Sequence, residues 1–170
     1  MAIQLPRVIE DLNAHVDGIG YAGRIDTIQL PTLQMNTEEY QGGGLDNPVD
    51  IHLGMQKPEV QLTFTDVDPE LRKRVAMERL YIVARGAIRE QGRGWDAHQQ
   101  VKITMFGLWK SADQGSWERG SKNSQTYTCG LVYYREEQAG EELVEIDTMR
   151  HIRRIGGVDQ LALQRQMLGL

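Results

Sequence analysis

The chain has 170 residues, with 24 acidic and 19 basic side chains and a formal net charge of -5. A chain of this length buries roughly 70% of its unfolded surface, so we expect a single domain over residues 1–170. The basic residues are interleaved with the acidic ones, which argues against tight binding to nucleic acid, and the single cysteine, Cys129, excludes a disulfide within the chain.

The N-terminal sequence lacks the features of a targeting segment. Arg7, Glu10 and Asp11 interrupt it, so it has no apolar stretch typical of a secretory signal. No part of the chain approaches the run of about 18 apolar residues that spans a membrane. We therefore expect a protein that is made and kept soluble in the cytoplasm, with Cys129 as a small buried hydrophobe.

Short strands are predicted in the first half of the chain. Alternation of apolar and polar residues indicates a half-buried strand over 32–40 and a clearer one over 59–65. Two further extended pieces are predicted over 13–21 and 24–30, where glycines and Pro31 mark their ends.

Between two of these strands lies the sequence EYQGGGLDNPVDIHLGM, which predicts a long loop over about 40–56. Ordering its three glycines costs backbone entropy, yet the segment is rich in apolar residues, so we expect something to contact and order it. A phosphate-binding loop is disfavoured, because Leu45 and Asp46 follow the glycines where a P-loop has Lys and Ser or Thr.

A helix is predicted over about 69–80. Asp68 can cap it, Pro69 suits its first turn, and apolar residues recur at helical spacing. A short C-terminal helix is predicted after Asp159, ending at Gly169.

The second half of the chain predicts long antiparallel strands, over 81–90, 99–110, 123–135 and 143–148, with turns at 91–95 and 111–122. In the third of these, alternation gives a core face and an opposite face that is small and polar. The core face comprises Tyr127, Cys129, Leu131 and Tyr133, and the polar face Ser124, Thr126 and Thr128.

The predicted fold class is α+β, mainly antiparallel β, with two packed sheets or a partial barrel flanked by the two helices. Long strands with one small polar face suit a barrel with a water-filled interior.

Nothing in the sequence indicates catalysis. The four histidines lie in different elements without metal-site spacing, and Glu145 and Asp147 form an acidic pair typical of a solvated strand face. No nucleophile elbow, metalloprotease motif or dinucleotide fingerprint is present. We expect no catalytic residue, cofactor or metal.

Two long sequence blocks carry a family resemblance. LPTLQMNTEEYQGGGLDNPVDIHLGM and ELVEIDTMRHIRRIGGVDQLALQRQMLGL resemble the signature blocks of the major tail tube proteins of contractile-tailed bacteriophages and R-type pyocins. Leu45 stands where the resemblance leads us to expect methionine.

The resemblance implies a structural protein of the virion, assembled in the host cytoplasm. Its copies would form hexameric rings that stack into a tube, each subunit giving strands to one inner β-barrel, with the genome delivered through the lumen without tight DNA binding. The implied partners are the sheath, tape-measure, baseplate and terminator proteins.

The same resemblance assigns roles to residues. Contacts between subunits or rings are expected at Glu39, Tyr40, Gly42, Gly43, Gly44, Leu45, Pro48, Val49, Ile51 and Leu53. Ser124, Thr126 and Thr128 are expected to face the lumen. Two alternatives stay open: a tube subunit of a contractile bacteriocin or secretion-type injection device, and a monomeric β-sandwich module that binds a ligand with its glycine loop.

Overall fold

A computed structural model describes residues 5–76, 79–91, 94 and 97–170. In this part of the chain twelve strands and two short helices follow one another. The strands are β1 (Arg7–Val16), β2 (Ile19–Gly20), β3 (Ile25–Gln29), β4 (Met35–Tyr40), β5 (Val49–Met55), β6 (Glu59–Phe64), β7 (Leu80–Glu90), β8 (His98–Asp113), β9 (Gln125–Gln138), β10 (Glu141–Asp147), β11 (Ile152–Ile155) and β12 (Val158–Asp159). Helix α1 (Pro69–Lys73) lies between β6 and β7, and α2 (Ala162–Leu168) follows β12.

Ten strands form one antiparallel sheet in the order β12-β11-β10-β9-β8-β7-β1-β2, with β6 and then β3 branching from β9. Strand β9 organises the sheet. Along one edge it pairs with β8 over most of its length, and along the other it pairs first with β6 and then with β10. Within the described residues no ladder joins β3 to β1 or β2, so the sheet stays open. The predicted class of α+β, mainly antiparallel β, is confirmed.

The core lies where β1, β6, β7, β8 and β9 turn their apolar faces together. Strand β6 has the alternation that the sequence predicts, and Val60, Leu62 and Phe64 are fully buried. Phe64 packs edge-to-face against Tyr21 and Tyr127, with ring centroids 5.1 and 5.8 Å apart. Such aromatic pairs add to the free energy gained from burial alone.

A β-bulge changes the predicted faces of β9. Phe106 pairs with Tyr133 but Gly107 pairs with Leu131, so one residue of β9 is extra. Beyond the bulge Tyr134 is buried at 2% exposure, whereas Tyr133 is only half-buried. The prediction that Tyr133 belongs to the core face is therefore wrong, because alternation counted along the sequence does not register the extra residue.

The first helix is shorter than predicted. Asp68 does cap it, and its carboxylate accepts a hydrogen bond from the Glu70 N–H at 2.7 Å, but α1 ends at Lys73. Ala76 has a φ of 70°, a left-handed conformation that no helix continues through. Leu80, which the sequence placed in the helix, is the first residue of β7, and residues 77 and 78 lie outside the described part of the chain.

The ends of the chain contain structure that the sequence did not predict. Strand β1 begins at Arg7, earlier than the predicted piece over 13–21, and β11 and β12 form an additional hairpin around Gly156 and Gly157. Helix α2 ends as predicted, with Gly169 at a φ of 71°. Most of the predicted turn 91–95 lies outside the described residues, and the turn 111–122 starts three residues late because β8 runs to Asp113.

No helix among the described residues is long and apolar enough to cross a membrane.

Two glycines at the β8–β9 bulge give the first testable prediction. A Cβ on Gly107 would lie 2.0 Å from the carbonyl oxygen of Gly130, which is backbone and cannot move aside. A Cβ on Gly130 would meet only the flexible end of Lys57, at 2.6 Å from its Nζ. We expect Gly107→Ala to lower the free energy of unfolding by about 3 kcal/mol or more, and Gly130→Ala to lower it by less than about 1 kcal/mol.

The measurement is equilibrium urea unfolding of both variants beside the unsubstituted protein. Equal midpoints for Gly107→Ala and Gly130→Ala would contradict the close approach of β8 to β9.

Candidate subunit-contact surface

The predicted glycine loop is a β-hairpin in the structure, and we call residues 35–55 the arm. Strands β4 and β5 pair only with each other and form a separate two-stranded sheet. At the base of the arm the Gln56 N–H donates to the Gln34 carbonyl at 2.9 Å. The prediction of a long loop over 40–56 is thus corrected, since seven of its residues form β5.

The glycines lie at the tip of the arm. The Leu45 N–H donates to the Gly42 carbonyl at 3.2 Å, which closes a tight turn. Gly44 adopts a φ of 87°, a conformation that favours glycine, whereas Gly43 has open space around its Cα. One glycine is therefore needed for the turn itself, and Gly43 is left free of local constraint.

One face of the arm is mainly apolar. Glu38 pairs across the hairpin with Ile51, and Tyr40 with Val49, so these four side chains lie on the same face. Tyr40, Val49 and Ile51 are 44–53% exposed. The prediction of a half-buried strand over 32–40 is wrong for the isolated subunit, because all six residues of β4 are exposed.

The other face of the arm is polar and acidic. Glu39 lies directly opposite Asp50, and Thr37 opposite His52. The arm carries four carboxylates, on Glu38, Glu39, Asp46 and Asp50, and no lysine or arginine. None of these carboxylates forms an ion pair with another described residue.

The structure brings all the predicted contact residues together on the arm. All but Gly42 are exposed, including Leu45, Pro48 and Leu53. A two-stranded hairpin is at best marginally stable in water unless something packs against it. An exposed apolar face of this kind marks an interaction surface.

The three predicted lumen residues lie on the side of β9 that faces away from the core. Thr126 and Thr128 are half-buried, and the Oγ1 atoms of Thr126 and Thr63 are 3.3 Å apart across the β6–β9 pair. Ser124 precedes β9 and is exposed. None of the three packs in the core of the subunit.

This side of the sheet also carries a row of ion pairs that the sequence did not reveal. Arg135 contacts the carboxylates of Glu137 and Glu142, each at 3.0 Å. Lys102 pairs with Glu137 at 3.1 Å, and Arg154 pairs with Glu142 and Glu145. Every one of these cations is thus neutralised by carboxylates of the same subunit.

The side chains that could take part in catalysis are either hydrogen-bonded within the subunit or buried. Glu145 accepts a hydrogen bond from the Tyr133 hydroxyl at 3.2 Å, and Asp147 accepts one from the Arg150 N–H at 2.9 Å. Burial raises the pKa of the Cys129 thiol to about 12, so at neutral pH it is protonated and a poor nucleophile. No group of three His, Cys, Asp or Glu side chains among the described residues is placed to hold a metal ion.

A cleft of about 720 Å³ lies beside the base of the arm, between β9, β10, β11 and the start of α2. Arg153 lines it and is buried at 9% exposure. Sequence reasoning missed Arg153, because β11 was not predicted. Its pairing with Ile146, a buried residue of β10, places both on one side of the sheet.

Comparison with known proteins identifies relatives over nearly the whole chain. The family described as phage tail tube protein FII matches residues 6–169. The tail tube protein of Escherichia phage P2 is 27% identical, covering 98% of this chain and 99% of its own. The major tail tube protein of Serratia phage KSP20 is 25% identical, covering 90% of each chain.

Solved structures show the same fold at low sequence identity. A chain from the sheath–tube complex of the PVC extracellular contractile injection system aligns with a TM-score of 0.57 at 13% identity, covering 78% of this chain and 91% of its own. A chain from the tube-terminating cap of the anti-feeding prophage aligns with a TM-score of 0.58 at 16% identity, covering 82% and 95%.

The exposure of the arm gives a prediction for the isolated subunit. We expect the backbone amides of β4 and β5 to exchange their hydrogens much faster than those of β8, because nothing packs on the arm while β8 is paired on both edges. Hydrogen exchange followed by mass spectrometry measures this difference. Equal protection of arm and β8 at low protein concentration would show that the arm needs no partner.

Proposed function

The chain belongs to the phage tail tube protein FII family, and from this premise we propose that it is the structural subunit of a contractile phage tail tube. Its role is non-catalytic, and its place is the virion. Copies form hexameric rings that stack around a lumen, through which the genome passes to the host.

The observation that carries the proposal is the arm. It presents Tyr40, Val49 and Ile51 to solvent, each 44–53% exposed, and among the described strands β4 and β5 pair only with each other. Burying apolar surface contributes about 25 cal/mol per Å², so a second copy that covers this face stabilises both the arm and the assembly. The predicted contact residues, from Glu39 to Leu53, serve as this interface between subunits or rings. In this proposal the chain is a single domain over residues 1–170 with one long contact arm.

The open sheet suits a ring-wide barrel. If about four strands from each of six subunits are spaced about 4.8 Å apart and tilted about 40°, the barrel has a circumference of roughly 150 Å and a backbone diameter of roughly 48 Å. Side chains narrow the lumen to a diameter of roughly 35–40 Å. This is wide enough to admit a DNA duplex, whose major groove is about 12 Å wide.

The face of β9 that carries Thr126 and Thr128 lines this lumen in our proposal, with Ser124 beside it. Its cations, such as Arg135 and Lys102, are already paired with carboxylates of the same subunit. Binding of DNA depends on unpaired basic groups that displace counterions from phosphates. A lumen with paired charges therefore lets DNA slide through without holding it.

The proposed partners follow from the position of a tail tube. They are further copies of this chain, the tail sheath protein outside, the tape-measure protein inside during assembly, and baseplate and terminator proteins at the ends. Assembly takes place in the host cytoplasm.

The two relatives described above are phage proteins, which favours a phage tail over a bacteriocin or a secretion-type device. The unpartnered arm favours a tube subunit over a monomeric ligand-binding module.

The first prediction of this proposal concerns the apolar face of the arm. We expect the purified protein to form rings or hollow tubes, and Ile51→Asp to prevent their formation, because a charge on this face would be buried without a partner. Thr37→Asp adds the same charge to the opposite face and should leave assembly intact. Negative-stain imaging and size exclusion read out both. Normal tubes from Ile51→Asp, or a stable monomer without any substitution, would contradict the proposal.

The second prediction concerns DNA. Purified tubes should not retain duplex DNA on a filter at moderate salt, since Arg135, Lys102 and Arg154 on the proposed lumen face are paired with carboxylates. As a comparison, Glu137→Gln and Glu142→Gln together free Arg135 from both carboxylates and should increase retention. Tight retention by the unsubstituted tubes would count against a lumen lined by this face.

A further inference from the structure

The cleft at the base of the arm has a largely apolar lining and contains a buried arginine side chain. Its walls include Leu131, Ile146, Ile152 and Leu161. Arg153 also lines it, and among the described residues it is the one lysine or arginine that is buried. A buried guanidinium needs an anionic or hydrogen-bonding partner to offset the cost of removing it from water.

Arg153 has no such partner among the described residues. The nearest polar contact of its Nη1 is the Met35 sulfur at 3.8 Å, a weak acceptor, and its Nε is buried without a hydrogen bond. No described carboxylate lies within ion-pair distance of it, although Arg154 beside it pairs with two. The cleft therefore contains a buried guanidinium that can donate hydrogen bonds to an anion from outside the subunit.

The arm carries one matching anion. On its apolar face Glu38 is the only charged side chain among Glu38, Tyr40, Val49 and Ile51, and it pairs with no described cation. When that face is buried against another copy, the Glu38 carboxylate is buried with it. It then requires a cation at the same place, since an unpaired buried charge is strongly destabilising.

Glu38 forms no ion pair with Arg153 of its own chain. Arg153 touches the arm at Met35, and Glu38 lies three residues further along β4, about 10 Å away at the rise of an extended strand. The pairing is possible between copies, where the arm of one subunit enters the cleft of the next. Such a head-to-tail contact leads to rings or filaments rather than to a closed dimer.

We propose that the apolar face of one subunit's arm docks in the Arg153 cleft of a neighbouring copy, where Glu38 forms an ion pair with Arg153. This inference rests on the proposed tube function and adds to it the acceptor site. The apolar residues around Glu38 then pack against the apolar walls of the cleft, and the Glu38–Arg153 pair fixes the register of the contact.

A double-mutant cycle tests the pairing. The protein and the variants Glu38→Gln, Arg153→Gln and Glu38→Gln/Arg153→Gln are assembled, and the concentration of free subunit in equilibrium with tubes is measured after sedimentation. Each single variant should raise this concentration about tenfold or more, because it leaves the other charge buried and unpaired. The double variant should raise it no more than either single one.

Asp50→Asn is the matched control, since it neutralises a carboxylate on the opposite face of the arm, at a position that is not one of the predicted contact residues. It should alter the free-subunit concentration by no more than about twofold. The melting temperature of the monomer provides a second readout. Arg153→Gln should keep or raise it, because the substitution removes an unpaired buried charge, whereas a purely structural arginine would lower it when lost.

The possible outcomes separate the two proposals. If the unsubstituted protein forms tubes and Arg153→Gln forms them equally well, the pairing is wrong and the tube function stands. If both single variants impair assembly but their effects add in the double variant, Glu38 and Arg153 contact different partners, which also overturns the pairing. If the unsubstituted protein stays monomeric, the tube function fails and the pairing fails with it.

Discussion

The constraint on which this structure depends is that a two-stranded sheet cannot bury its own apolar face. Strands β4 and β5 pair only with each other, and this leaves Tyr40, Val49 and Ile51 exposed in the isolated subunit. The ten-stranded sheet has its core elsewhere and meets the arm only at the base, where Met55 packs against the core and Arg153 contacts Met35. The free energy that this face can contribute is therefore available only when a partner covers it, and we propose that this partner is another copy.

The body of the subunit gives the arm a rigid base. Strand β9 pairs with three neighbours, and the bulge near Gly107 lets β8 follow it closely. Gly107 and Gly130 meet there without side chains between them, which keeps the two longest strands in register. The same sheet places its paired charges on the face away from the core and leaves Arg153 in the cleft beside the arm. Packing, charge and the proposed contact thus depend on one arrangement of β8 to β11.

Much of this arrangement follows from local sequence rules. Alternation predicts β6 and most of β7 to β10, and Asp68 and Gly169 mark helix ends as expected. Local sequence rules fail where the pairing of strands determines the structure. The extra residue of β9 reverses the faces of Tyr133 and Tyr134, and the chain after Lys73 leaves the helix although its apolar spacing would permit another turn. The family resemblance predicts the contact residues, but their hairpin and its exposure are visible only once β4 is paired with β5. Arg153 depends on a strand too short to recognise from the sequence.

The central claim is that the arm of one subunit is buried by another. A reconstruction of the assembled protein by electron cryomicroscopy, at a resolution that shows side chains, tests it most directly. We expect Ile51 to be buried against a neighbouring copy, together with Tyr40 and Val49. In the isolated subunit Ile51 is 44% exposed. Rings or tubes in which this face of the arm remains open to solvent would contradict it.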